Sequence, residues 1–158
     1  MKTLIVYASK YGCAADCAAY LKSRLPGGAA LADANGSRGQ IELEKFDAVV
    51  VGGSVYVGMV SKKLRAFCAG NIAALLGKQV GVFLCCAQPG QAGGFFSANF
   101  PPELLESAKT TGAFGGEARL EKMGFFDRAL LRIVTKGDYS GFKVSRESME
   151  SFAEAMAR

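Results

Sequence analysis

Three short stretches carry the residue types that hold a ligand, and each follows an apolar run. The first is Ser9-Lys10-Tyr11-Gly12-Cys13-Ala14. A hydroxyl, a glycine and free backbone N–H groups at the start of a helix make an anion site suited to a terminal phosphate. The plain alternative is an ordinary strand-to-helix turn with Ser9 near the cap. The second is Gly52-Gly53-Ser54-Val55-Tyr56-Val57-Gly58. Its glycines allow close backbone approach to a ligand, and Tyr56 offers a flat face for stacking. Otherwise it is a glycine-rich turn with one exposed aromatic. The third begins Cys86-Ala87-Gln88-Pro89-Gly90-Gln91-Ala92-Gly93-Gly94. It reads as a flexible polar loop whose backbone, or Gln88, can bond the edge of a ligand ring; a bare surface loop is the competing reading.

The chain has five cysteines and no histidine. Without histidine, Ser-His-Asp and Cys-His catalysis are excluded, as is a zinc site of the His-Cys type. Any redox or group-transfer chemistry then comes from a cofactor. The odd cysteine count argues against a disulfide framework. Cys13 sits where a helix N-terminus lowers a thiol pKa, with Cys17 one turn on, and Cys85-Cys86 end a strand beside the third loop. A redox role for either pair competes with the role of small buried hydrophobe. No catalytic or metal-ligating role is assigned to any of them.

The elements that must position these stretches follow from the apolar pattern. The 158 residues, half of them hydrophobic, suit a single domain over 1–158. Strands are expected at 3–8, 29–32, 47–53, 79–86 and, more weakly, at 111–119. Helices are expected at 12–24, at 62–76 with an interruption near Gly70-Asn71, from Pro101-Pro102-Glu103, at 125–136 and at 145–157. Residues 35–39 read as a loop. Continuous apolar strands alternating with helices imply a parallel sheet covered on both faces. Five strands in the order 2-1-3-4-5 is the topology that right-handed crossovers favour. In such a sheet ligands bind outside the carboxyl ends of the strands beside strand one, where all three stretches fall. The dinucleotide fingerprint Gly-x-Gly-x-x-Gly is absent after strand one, which argues against resident NAD. A phosphoacceptor receiver domain would need acidic residues where Ser9, Lys10 and Gly52-Gly53 stand.

The stretch Ser9-Lys10-Tyr11-Gly12 resembles the phosphate loop of the flavodoxin-like superfamily, Ser/Thr-x-Thr/Tyr-Gly-x-Thr, and Gly52–Gly58 is similar to its second flavin loop. More narrowly, Phe114-Gly115-Gly116 followed by Phe125-Phe126-Asp127-Arg128-Ala129-Leu130-Leu131-Arg132 resembles flavodoxin-domain proteins of the menaquinone-dependent protoporphyrinogen oxidase type. The resemblance implies a flavodoxin-like three-layer sandwich and FMN as cofactor. Ser9, Lys10, Tyr11, Gly12, Cys13 and Ala14 would then serve the phosphate, and Gly53, Ser54, Val55, Tyr56, Val57, Gly58, Cys86, Ala87 and Gln88 the ring. It also implies a flavin-dependent oxidoreductase passing electrons to a quinone, with a small electron carrier and a degenerate, flavin-free binding module as alternatives. Ala14 stands where the family pattern has a threonine. A lost hydrogen bond to a charged group costs roughly 1.5–3 kcal/mol, so weaker FMN binding is expected.

The net charge of +5 lies mostly in residues 119–146, which hold seven basic and three acidic side chains. Within them Phe125, Phe126, Ala129, Leu130, Ile133 and Val134 share one helical face, and Arg128, Arg132 and Lys136 another. One reading packs the apolar side on the sheet. The other is a surface for an anionic membrane or a carboxylate-bearing substrate, and the resemblance adds a quinone or porphyrin near the flavin. No nucleic-acid partner is expected. With a strand almost at the N-terminus, no signal-peptide pattern and no apolar run of about 20 residues, a cytoplasmic protein is expected, peripheral at the inner membrane face if the basic helix binds lipid.

Overall fold

Five apolar runs build a parallel sheet in the computed structural model, which describes residues 1–36, 39–117, 119–139 and 142–158. They are β1 (Thr3–Ala8), β2 (Ala29–Asp33), β3 (Ala48–Ser54), β4 (Gln79–Cys85) and β5 (Thr110–Ala113), in the order β2-β1-β3-β4-β5. This is the expected flavodoxin-like topology. Ile5 lies between Leu31 and Val50 in the ladder, and Val51 between Val6 and Val82.

Successive side chains of a strand point to opposite faces, so each central strand feeds two cores. On one face Ile5, Val50 and Phe83 pack with α1 (Cys13–Arg24) and α7 (Arg146–Ala157). On the other, Leu4, Val6, Val49 and Val51 meet Leu64 of α2 (Lys62–Gly70), Leu75 of α3 (Ile72–Leu76) and Leu104 of α5 (Pro102–Ser107). Burial on both faces is why the central strands lack polar alternation. Phe83 stacks on Phe114 at 5.1 Å, and Phe152 meets Phe114 edge-on at 5.3 Å. Gly52 makes room for this cluster, since a Cβ there would fall 2.2 Å from the Phe83 ring.

Several boundaries differ from the sequence reading. The 62–76 helix is divided, as expected, with Asn71 between α2 and α3. Residues 92–99, expected to continue a loop, form helix α4 (Ala92–Asn99). Asn99 is the reason this segment is fixed: its buried amide accepts from Val60 N–H at 2.9 Å and donates to the Gly58 and Phe95 carbonyls. Strand β5 stops at Ala113 rather than running to 119, because Gly115 turns the chain at φ +79°. Helix α6 (Phe125–Thr135) ends one residue early, where Lys136 adopts the left-handed conformation. Ser37 and Arg38 of the expected 35–39 loop, and Ala118 of the expected fifth strand, lie outside the described residues.

Past β5 the chain leaves the sheet and returns at Val144, which bridges Gly115. Ser145 N–H donates to the Phe114 carbonyl at 2.7 Å beside this bridge. A Cβ on Gly115 would lie 1.9 Å from the Lys143 carbonyl oxygen, so only glycine admits the contact. Between them α6 lies at the carboxyl ends of β3 and β4, where Leu130, Leu131 and Val134 share a cavity with Ser54 and Cys85. Among the described residues no helix is long and apolar enough to cross a membrane.

Candidate functional site

Gly12 opens α1 at φ +98°, a conformation open to glycine and strained in other residues, and its N–H donates to Ser9 Oγ at 2.9 Å. The first turn of a helix leaves its N–H groups without intrahelical partners, with the positive end of the helix dipole behind them. The Cys13 and Ala14 side chains are buried in the core, so this loop offers a ligand the backbone rather than those side chains. A cation lies over it. Arg119 donates to the Tyr11 carbonyl at 3.2 Å, to Asp16 at 2.5 Å and to Glu117 at 2.9 Å. Its guanidinium is so close that a Cβ on Gly12 would meet Nη1 at 2.5 Å, with Lys122 Nζ just beyond. Hydrogen bonding to Asp16 raises the Arg119 pKa further, so it stays charged.

Gly52 and Gly53 belong to β3, as the expected strand 47–53 has it, and the strand runs one residue further, to Ser54. A Cβ on Gly53 would lie 3.1 Å from both the Ala8 carbonyl oxygen and a Leu64 methyl, so its smallness serves packing within the fold. The turn proper is Tyr56–Met59, closed by paired backbone bonds of 2.9 and 3.1 Å. Both central residues, Val57 and Gly58, have positive φ. For a β-branched valine this is a strained conformation, characteristic of turns at functional sites.

Beyond these loops a cavity of 510 Å³ opens at the carboxyl ends of β3 and β4. Lys10 and Tyr11 line it from the first stretch. Ser54, Val55, Tyr56, Val57 and Gly58 come from the second, and Cys86, Ala87 and Gln88 from the third. The buried Ser54 Oγ has no hydrogen-bond partner among the described residues, an orphan that a polar ligand would satisfy. Ser9, Gly12, Cys13, Ala14 and Gly53 do not line this cavity; the first four form the turn into α1.

Leu130, Leu131 and Val134 of α6 form its roof. The Asp127 carboxylate holds that roof down: it accepts from the Tyr11 and Tyr56 hydroxyls and pairs with Lys10 at 3.2 Å. Lys10 Nζ also lies 3.6 Å from the centre of the Tyr56 ring. The bond from Tyr11 leads in pulling the Asp127 carboxyl down to about 2. Burial, then the bond to Asp127, pushes the Tyr11 phenol up to about 12. Arg128 is turned to the Leu120 carbonyl at 2.6 Å, and Lys136 follows the helix end; neither these nor Arg132 lines the cavity. No residue of α6 is buried, so of the two readings of its apolar face the one that packs it on the sheet does not hold. Phe125, Phe126, Ile133 and Val134 are 63–84% exposed.

Beneath the anion loop Cys13, Cys17 and Cys85 bring their sulfurs together, all within 4.8 Å and all buried. Bonds from Cys17 and Cys85 lower the Cys13 thiol, while those two are raised in return. Sequence reasoning missed this triad, because Cys85 is far from the other two along the chain. It also missed Arg119, the Asp127 tether and the α6 roof. The cluster of basic residues from 119 onward was the available signal for Arg119.

A family model described as a flavodoxin domain matches residues 4–143. Solved structures share the fold at low identity. A short-chain flavodoxin associated with a bacterial microcompartment gives a TM-score of 0.58 at 16% identity, covering 99% of this chain and 96% of its own. A flavodoxin, WrbA-like protein from Agrobacterium tumefaciens gives 0.56 at 17%, covering 98% and 96%. Oxidised flavodoxin 1 from Bacillus cereus gives 0.55 at 17%, covering 99% and 95%. No curated protein sequence gives a significant match. The narrower resemblance to protoporphyrinogen oxidase gains no support from these relatives.

Proposed function

The chain belongs to the flavodoxin-domain family, and from that premise we propose that it binds FMN at the carboxyl ends of β1, β3 and β4 and serves electron transfer. One observation carries the reading: a helix-start loop capped by Arg119 adjoins a 510 Å³ cavity whose buried Ser54 hydroxyl has no partner among the described residues. The residues present fit the cofactor. Cys13 and Ala14 would offer backbone N–H groups to the phosphate, Ser9, held by the Gly12 N–H, its hydroxyl proton, and Arg119 the countercharge that compensates for the hydroxyl absent at Ala14. Tyr56, Gly58, Ala87 and Gln88 would bound the ring. FMN supplies the chemistry when bound, taking up and giving out electrons, and the chain need provide no acid or base. Its own residues orient the ring, and the α6 side chains exclude water from one side of the cavity.

Quenching of flavin fluorescence tests this directly. FMN is expected to bind, and riboflavin, which lacks the phosphate, much more weakly. If neither binds, the fold serves as a flavin-free binding module.

A second reading rests on α6, whose exposed phenylalanines stand beside Arg128, Arg132 and Lys136. We infer that this face seats on an anionic membrane, placing a cytoplasmic protein at the inner membrane face with access to a quinone. A porphyrinogen-like substrate would present carboxylates to the same basic residues. Substrate-dependent turnover with a quinone acceptor distinguishes this oxidoreductase from a carrier that exchanges electrons with protein partners.

A further inference from the structure

The three buried thiols beneath the anion loop have no part in the flavin reading. Cys13 is the first residue of α1, Cys17 lies one turn on, and Cys85 ends β4. Cys17 and Cys85 are 3.5 Å apart, sulfur to sulfur. No carboxylate joins the group among the described residues, and the chain has no histidine. Among the described residues the cysteine, histidine and carboxylate donors gathered here are three sulfurs.

Around a single ion about 2.3 Å from each sulfur, three thiolates lie about 4.0 Å apart in a plane and about 3.8 Å apart on a tetrahedron. Cys17 and Cys85 at 3.5 Å stand just inside this spacing and no pair exceeds 4.8 Å, so side-chain shifts of a few tenths of an ångström to about 1 Å bring the triad to it. Hard ions want oxygen ligands, and structural zinc wants a fourth donor that this site lacks. Soft, sulfur-only sites select Cu(I). We propose that Cys13, Cys17 and Cys85 form a thiolate site for one soft monovalent metal ion of the Cu(I) type. Binding exchanges thiol protons for the ion, and the protons leave to solvent. The negative charge left on the sulfurs faces Arg119 and the N-terminus of α1. Cys13, 6% exposed, is the least covered of the three, with the Arg119 side chain over the neighbouring Gly12.

The test uses the full, reduced, flavin-free chain under anaerobic conditions, so that its outcome is separate from that of FMN binding. Cu(I) is titrated against a competing chromophoric chelator. One ion per chain should be retained by the wild type and by Cys68→Ala, and lost in Cys13→Ala, Cys17→Ala and Cys85→Ala, with folding checked by circular dichroism. X-ray absorption of the loaded wild type should show three sulfur neighbours and no nitrogen or oxygen, a readout independent of any variant. Failure of the wild type to compete, retention unchanged in the triad variants, or a shell containing oxygen or nitrogen would overturn the site.

Discussion

Arg119 is the side chain on which the proposed phosphate affinity turns. It lies over Gly12 and is held by Tyr11, Asp16 and Glu117, so its charge is already in place before a ligand arrives. Replacing it with alanine should weaken FMN by roughly 1.5–3 kcal/mol, the value of a hydrogen bond to a charged group, and leave riboflavin unchanged. Equal losses for both flavins, measured by fluorescence titration, would place Arg119 outside phosphate recognition. Val57 supplies a stability test. Its left-handed conformation costs a branched residue about 1–2 kcal/mol, and its side chain is 66% exposed. Val57→Asn should therefore raise the free energy of unfolding by about 1 kcal/mol in urea titrations.

At the scale of elements, the sheet and its covering helices were legible because period and punctuation agree. Short, valine-rich apolar runs such as 48–51 read as strands buried on both faces, and Pro26-Gly27 ends α1 where the pattern stops. Helix α4 was not legible. Its glycines weaken local propensity, and it is fixed by Asn99, whose partners Val60 and Gly58 lie far back in the chain. The same holds for the roof. The face of α6 looked like a core face, but its nearest strand ends at Ala113 and α6 spans a cavity instead. Of the candidate site, the loops were legible from glycine, hydroxyl and aromatic content, while the tether between Asp127 and the two tyrosines depends on contacts across more than 70 positions. That tether titrates. The carboxyl is held at about 2 against its ordinary 3.8, so its contribution is complete above roughly pH 4 and lost as pH falls through about 2. Hydrogen exchange in residues 125–135 should accelerate across that window before the strands respond. Asp127→Ala should produce the same local acceleration at neutral pH.

For the whole molecule, the basic charge is concentrated where the apolar residues are most exposed. An anionic bilayer complements both features at once. Wild-type protein should sediment with vesicles containing anionic lipid, less so as salt rises, and the combined Arg128→Glu, Arg132→Glu and Lys136→Glu variant should stay in the supernatant. Equal sedimentation of the two would remove the membrane from the account. The bridge between Gly115 and Val144 has one more consequence. It brings the two ends of the α6 segment to a single point on the sheet rim. What lies between behaves as an interchangeable cassette: doubling the length of a closed loop costs only about 0.6 kcal/mol, so its length and content can be redrawn without disturbing the strands. A chimera that retains Arg119 and the turn into α1, and carries a foreign segment only in place of residues 124–143, would keep the phosphate contacts and take the cavity roof, and with it the choice of redox partner, from the donor.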